Sequence, residues 1–190
     1  MSYLKERLKH AVRFRHKRGY GVHSPFMFYF ILNVLRDKGK QFTYPETGIK
    51  MNFPGRRERK VFRLLSRLIR YFRVHRVVCI GRNAEMLVDY LKYTNPEVYM
   101  KSNVLEELPV ADFICLGRKA SEILPVEFSF GEMLSNKPKY MVIADIYKDS
   151  FNGRLWRQYR DKATVSVDMM WYGLLLFDEK IQPGKYNLMI

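Results

Sequence analysis

Residues 77–81, Val-Val-Cys-Ile-Gly, constrain this chain more than any other stretch. Val77 to Ile80 is a short apolar run rich in β-branched residues, and Gly81 ends it, which is the pattern of a buried strand. Asn83 then offers a helix cap, and Met86, Leu87, Tyr90 and Leu91 repeat at helical spacing. A strand, a glycine turn and a helix open a doubly wound α/β sheet. In such sheets the first turn is where a nucleotide-like ligand sits. The same turn lacks the residues that usually hold such a ligand. There is no phosphate-binding glycine loop ending in Lys-Ser/Thr and no paired-glycine dinucleotide fingerprint.

Further strands are expected at 97–101, 111–116, 139–144, 163–168, 172–177 and 185–190, and helices at 83–93, within 119–135 and at 150–161. Only nine residues separate the strands at 97–101 and 111–116, too few for a full helical crossover, so either those two are not adjacent parallel neighbours or the crossover between them is cut to a minimum. The strands around Trp171-Tyr172-Gly173 read as an antiparallel hairpin. Ahead of the sheet, three helices are expected. The first, residues 3–18, carries a narrow apolar stripe of Leu4, Leu8, Ala11 and Val12 among many cations. The second runs from Pro25, capped by Ser24, to Asp37 and is apolar nearly all round. The third, residues 55–73, turns Val61, Leu65, Leu68, Ile69 and Phe72 to the core. The chain thus divides into a basic helical segment, 1–73, packed on an α/β domain, 74–190. The loop at 38–54 is punctuated by Gly39, Pro45, Gly48 and Pro54.

Charge separates the two parts. Of the net +15, residues 1–76 hold 20 Lys/Arg against 4 Asp/Glu, a balance of +16, and the remainder is nearly neutral. On the third helix Arg56, Lys60, Arg63, Arg67 and Arg70 recur every three or four positions, with Glu58 nearby to oppose them. Like charges along one face repel, and a phosphate backbone or an anionic lipid surface would relieve that repulsion. These five residues are the candidate anion- or nucleic-acid-binding set. Their bland alternative is a solvated face whose arginine stems cover apolar surface.

Hydrophobic content of 47% is that of a globular protein. Cys79 and Cys115 fall in apolar strand-like runs and read as buried reduced thiols. The four histidines, His10, His16, His23 and His75, are not spaced with Cys or carboxylates as metal ligands, so no metal is expected. Met1 to Lys9 lacks the apolar core of a secretory signal, and the longest apolar run, Pro25 to Leu35, is too short to span a bilayer. A cytoplasmic protein is expected. Two acids stand at strand ends: Asp145 after Tyr140-Met141-Val142-Ile143-Ala144, and Asp168 after Val165-Ser166-Val167. Asp145 is the candidate catalytic carboxylate, because sites of α/β sheets lie at the carboxyl edge.

The order of these parts resembles a bacterial family of class I SAM-dependent methyltransferases of the O-methyltransferase-like kind. Arg15-His16-Lys17-Arg18-Gly19-Tyr20-Gly21-Val22-His23-Ser24-Pro25-Phe26 resembles the family's front segment. Val142-Ile143-Ala144-Asp145-Ile146-Tyr147 resembles its fifth-strand motif, and Thr164 to Asp168 with Tyr172 to Phe177 its closing hairpin. The resemblance implies a Rossmann-like, mostly parallel sheet with an antiparallel C-terminal hairpin. It also implies SAM as cofactor near Gly81 and Asn83, and Asp145 as metal ligand or base.

The cofactor motifs depart from that pattern. Cys79 stands where the family has an acid, Glu85 replaces the second glycine, Gly117 replaces the acid ending the fourth strand, and Ala144 replaces the first of two paired acids. One strand–helix unit is missing, and with it the ribose-binding acid. Each hydrogen bond to a charged group contributes roughly 1.5–3 kcal/mol, so losing two or three weakens binding by several powers of ten. Two functions follow as expectations. The first is a catalytically degenerate methyltransferase-fold protein, without cofactor, that binds nucleic acid or another anionic surface, an intact paralogue or a second copy of itself. The second is a divergent SAM-dependent methyltransferase of unknown acceptor.

Overall fold

A computed structural model describes residues 3–12, 24–37, 42, 44, 55–125 and 138–188, with backbone alone at 10–12. The front-segment motif up to His23, most of the loop at 38–54 and the greater part of the helix expected within 119–135 lie outside the described residues.

Seven strands form one sheet. They are β1 (Arg76–Ile80), β2 (Tyr99–Ser102), β3 (Phe113–Leu116), β4 (Tyr140–Ala144), β5 (Val165–Asp168), β6 (Tyr172–Leu176) and β7 (Gly184–Asn187), in the spatial order β2-β1-β3-β4-β6-β5-β7. All pairs are parallel except those that β6 makes with β4 and β5. The expected mixed α/β sheet with its antiparallel hairpin is therefore present. β2 and β3 are not neighbours but flank β1 on opposite sides, and the short crossover between them is made by a 3-10 turn, Leu105–Val110.

The strands alternate strictly between two cores. Val77, Cys79, Phe113, Cys115, Val142 and Val167 point to one face; Val78, Ile80, Ile114, Leu116, Ile143 and Leu175 point to the other. The first face is covered by α2 (Pro25–Tyr29), α3 (Arg56–Phe72) and α4 (Ala84–Thr94), and the second by α5 (Ser150–Tyr159) and the 3-10 turns. α2 with its continuation to Leu35, and α3, are thus one layer of the sheet's own core. Cys79 and Cys115 are paired neighbours across β1 and β3, both buried and free, and burial pushes the Cys115 thiol up.

Ser24 caps α2 by accepting from the Met27 N–H, and Pro25 takes the first helical position. The helix then widens into a π-helical stretch, Phe30–Leu35, where Arg36 N–H reaches Ile31 O. The widening turns Phe30, Ile31, Val34 and Leu35 inward together. α1 (Tyr3–Val12) departs from expectation: Leu4 and Leu8 are 65% and 68% exposed, while Glu6 is buried. Its Tyr3 side packs against Trp171, so an aromatic contact, not the leucine stripe, decides which side faces inward.

On the α5 face, Trp156 lies across Gly173 of β6, where the strand carries no side chain. A Cβ on Gly173 would fall 2.3 Å from the Trp156 ring. Gly173→Ala is expected to cost about 1–3 kcal/mol through overpacking, read as a lowered urea midpoint. An unchanged midpoint would show that the indole is free to move away.

Candidate functional site

The carboxyl edge of the sheet, between β1 and β3, is where the chain direction splits, and where Gly81 and Asn83 were expected to serve a ligand. Here the two turns bond to each other. Gly117 N–H donates to Ile80 O at 2.7 Å, and Arg82 N–H donates to Arg118 O at 3.0 Å. Gly81 N–H donates to the Asn103 side chain at 2.9 Å, just beyond β2. Gly81 has φ +135°, and a Cβ on it would lie 2.7 Å from Arg118 O. Its glycine is therefore required by the neighbouring turn, independent of any ligand. Asn83 precedes α4 without a side-chain cap; the turn is closed instead by Ala84 N–H to Gly81 O. The Asn152 amide extends the same closure, donating at 2.9 Å to both Gly117 O and Ala144 O, at the ends of β3 and β4.

Asp145 is part of this closure. It follows β4 in the left-handed region, φ 49°, which Asp tolerates better than most residues. Its carboxylate lies 2.9 Å from Arg118 Nε, and another guanidinium nitrogen of Arg118 lies 2.6 Å from Glu58. One arginine, supplied by the turn after β3, ties the end of β4 to the first turn of α3. What remains beneath is a cavity of about 50 Å³ lined by Glu58, Cys79, Asn83, Leu87, Cys115 and Tyr172, among others. That is room for one or two waters, well below the roughly 300–1,000 Å³ of small-molecule sites. Burial raises the Tyr172 phenol's pKa, with Arg118 opposing.

The five cations expected to form one stripe on α3 divide into two groups. Arg67 is 7% exposed, and its guanidinium donates to Val34 O, Leu35 O and the Tyr44 hydroxyl at 2.6, 3.1 and 2.7 Å. It satisfies the carbonyls at the end of the π-helical stretch, a structural role in place of the expected surface one. Arg63 packs over the Tyr44 ring, and Arg70 donates to Thr94 O at the end of α4. Arg56 and Lys60 stay exposed, joined by Arg57 and Arg59. Four cations in the first five positions of α3 oppose the helix macrodipole, which favours negative charge at that end.

Beside this cluster is a groove of about 470 Å³. Arg56, Arg57 and Lys60 form its cationic side, and Leu64, Met169, Trp171 and Tyr172 the apolar side. Trp171 is carried on the turn from β5 to β6. That turn is fixed by Asp168, whose carboxylate accepts from Met170 N–H at 2.9 Å and from the Tyr147 hydroxyl. Asp145 N–H to Trp171 O, 2.6 Å, ties it to β4. The Arg57 guanidinium stacks 3.6 Å from the Trp171 ring centroid, and Lys148 lies 4.9 Å from the rings of both Trp171 and Tyr3. Asp168, flagged in the sequence only as a strand-end acid, is thus the support of the Trp171 turn. Burial and the Asp168 carboxylate push the Tyr147 phenol up.

Arg57, Arg118 and Trp171 were not singled out from sequence. A tryptophan at a hairpin turn was the one available signal, since such a position is solvent-facing unless something covers it. Among the described residues, no group of three or more His, Cys, Asp or Glu is placed to hold a metal, and no helix is long and apolar enough to cross a membrane. No family model, curated protein or solved structure matches the chain.

The division of the α3 cations is measurable as stability. Arg67→Met leaves buried carbonyls without a donor and is expected to cost about 2–4 kcal/mol in urea unfolding. Lys60→Ala is expected to change it by no more than about 0.5 kcal/mol. Equal costs would contradict the division.

Proposed function

We propose that this chain is a catalytically degenerate, methyltransferase-like α/β protein that binds nucleic acid through the exposed cations at the start of α3. The observation that carries this reading is the groove in which Arg56, Arg57 and Lys60 stand over Trp171. Cations crowded at a helix N-terminus whose one acid, Glu58, is turned to Arg118 are stabilised by a bound polyanion, and aromatic groups among them suit bases and sugars. Arg56 and Lys60 keep the role read from the sequence; Arg63, Arg67 and Arg70 serve the fold in the ways described.

The kinship with the methyltransferase family rests on the motifs and gains support from the topology. One reversed strand, β6, sits between β4 and β5 as the closing hairpin implies. Among the described residues the sheet ends at β2, which supports the reading that one strand–helix unit of the family is missing.

SAM does not fit the residues present. The N–H groups of Gly81 and Arg82 already have acceptors within the protein. Asn103, an amide, stands just past β2, where the family has a ribose-binding acid. Arg118 holds Asp145, which argues against a free base or metal ligand there. No step through the cofactor is derived.

Two titrations test the reading. Calorimetry with SAM and S-adenosylhomocysteine is expected to show no binding up to millimolar concentration; micromolar binding would restore the methyltransferase alternative. Binding of a nucleic acid is expected to weaken steeply with salt. Arg56→Glu with Lys60→Glu should weaken it and reduce the slope of log K against log salt by roughly 1–2. An unchanged affinity and slope in the double variant would refute the assigned surface.

A further inference from the structure

Resting on that reading, we infer that the partner is a single-stranded nucleic acid, one of whose bases stacks in the groove against Trp171 and Arg57. The cationic rim alone would suit any polyanion. The groove's other side does not. Trp171 and Tyr172 present aromatic surface beside the cations, with the buried Leu64 and Met169 behind them. A duplex brings phosphates to the rim but keeps its base faces stacked inside, and its grooves offer only base edges. An unpaired nucleotide supplies both halves at once: a flat π-face for the floor and a phosphate for the rim. The groove's volume of about 470 Å³ is within the range of sites that enclose a small organic group.

The platform is built in advance. The turn that carries Trp171 is held on both sides, through Asp168 to Met170 N–H and through Asp145 N–H to Trp171 O, and Arg57 and Tyr3 pack against its ring. A ring fixed before binding loses little side-chain entropy when a base lands on it. Arg57 is already stacked 3.6 Å from the Trp171 ring centroid, and its planar guanidinium can stack on a base in turn while its N–H groups face phosphate. Tyr3, its ring centroid 5.7 Å from that of Trp171, extends the aromatic surface toward α1, with Lys148 over both rings as a further phosphate contact. The strand would therefore run from the α3 cations across Trp171 toward Lys148 and α1.

The test uses the full chain and four probes at low salt, read by fluorescence anisotropy and competition. They are a labelled twelve-nucleotide oligothymidylate, an abasic strand of equal length and charge, a twelve-base-pair duplex, and thymidine monophosphate as competitor. The wild-type protein is expected to bind the oligothymidylate roughly tenfold to a hundredfold more tightly than the abasic strand, and more tightly than the duplex. Trp171→Leu should erase that advantage and leave abasic binding in place, and Trp171→Phe should keep most of it. A readout that needs no variant is tryptophan emission, which should be quenched by the oligothymidylate and not by the abasic strand.

Equal wild-type affinity for the oligothymidylate and the abasic strand would overturn base stacking and leave the phosphate-binding reading standing. A preference for the duplex would do the same. Displacement of the strand by micromolar thymidine monophosphate would overturn the strand assignment in favour of a free nucleotide. No binding to any probe would remove both this inference and the function on which it rests.

Discussion

The turn after β1 and the turn after β3 are joined backbone to backbone, and the rest of the carboxyl edge follows from that junction. Gly117 N–H to Ile80 O and Arg82 N–H to Arg118 O bring the two chains into contact where α/β folds usually leave a crevice. Gly81 must be glycine because Arg118 O occupies the space a Cβ would need. The same contact fixes the start of the Arg118 side chain between Glu58 and Asp145. Buried and half-buried polar groups are stable only when partnered. Here the partners come from within the chain: Asn103 accepts from Gly81 N–H, Asn152 donates to the carbonyls of Gly117 and Ala144, and Glu58 and Asp145 pair with Arg118.

Closing that edge has a consequence for α3. Glu58 is drawn inward to Arg118, which removes the one acid in the helix from its exposed side. Arg56, Arg57, Arg59 and Lys60 are left outside with the helix dipole against them. The β5–β6 turn, tied to Asp145 by a backbone hydrogen bond, then sets Trp171 beside them. One set of interactions thus closes the site where an α/β fold usually binds and builds a cationic, aromatic groove a short distance away.

The sheet was legible in the sequence because its strands are short β-branched or apolar runs cut by glycine or polar residues, and each run but the last, expected at 185–190 and found at Gly184–Asn187, fell within a residue or two of its strand. The nine-residue link signalled a crossover without a full helix, and the structure makes it with one 3-10 turn that crosses β1, which lies between the two parallel strands. Long-range partners were not legible. Arg67 and Lys60 look alike along the sequence of α3, yet Arg67 faces the carbonyl ends at Val34 and Leu35, more than thirty residues earlier. Leu4 and Leu8 read as an inward stripe, and the Tyr3–Trp171 contact turned them outward. Asp145 carried the position of a functional acid, and nothing local announced that Arg118 would hold it. Helical and strand periodicity reports which side is apolar; it does not report which distant group a charge will meet.

Native-state amide hydrogen exchange at Gly81, Arg82 and Gly117, measured without any ligand, tests the closed edge most directly. The account predicts slow exchange at all three, with protection close to that of the core strand amides, because each N–H is bonded to an acceptor within the protein. Fast exchange at these amides, beside protected neighbours in β1 and β3, would mean that the turns are open and available to a ligand, and would contradict it.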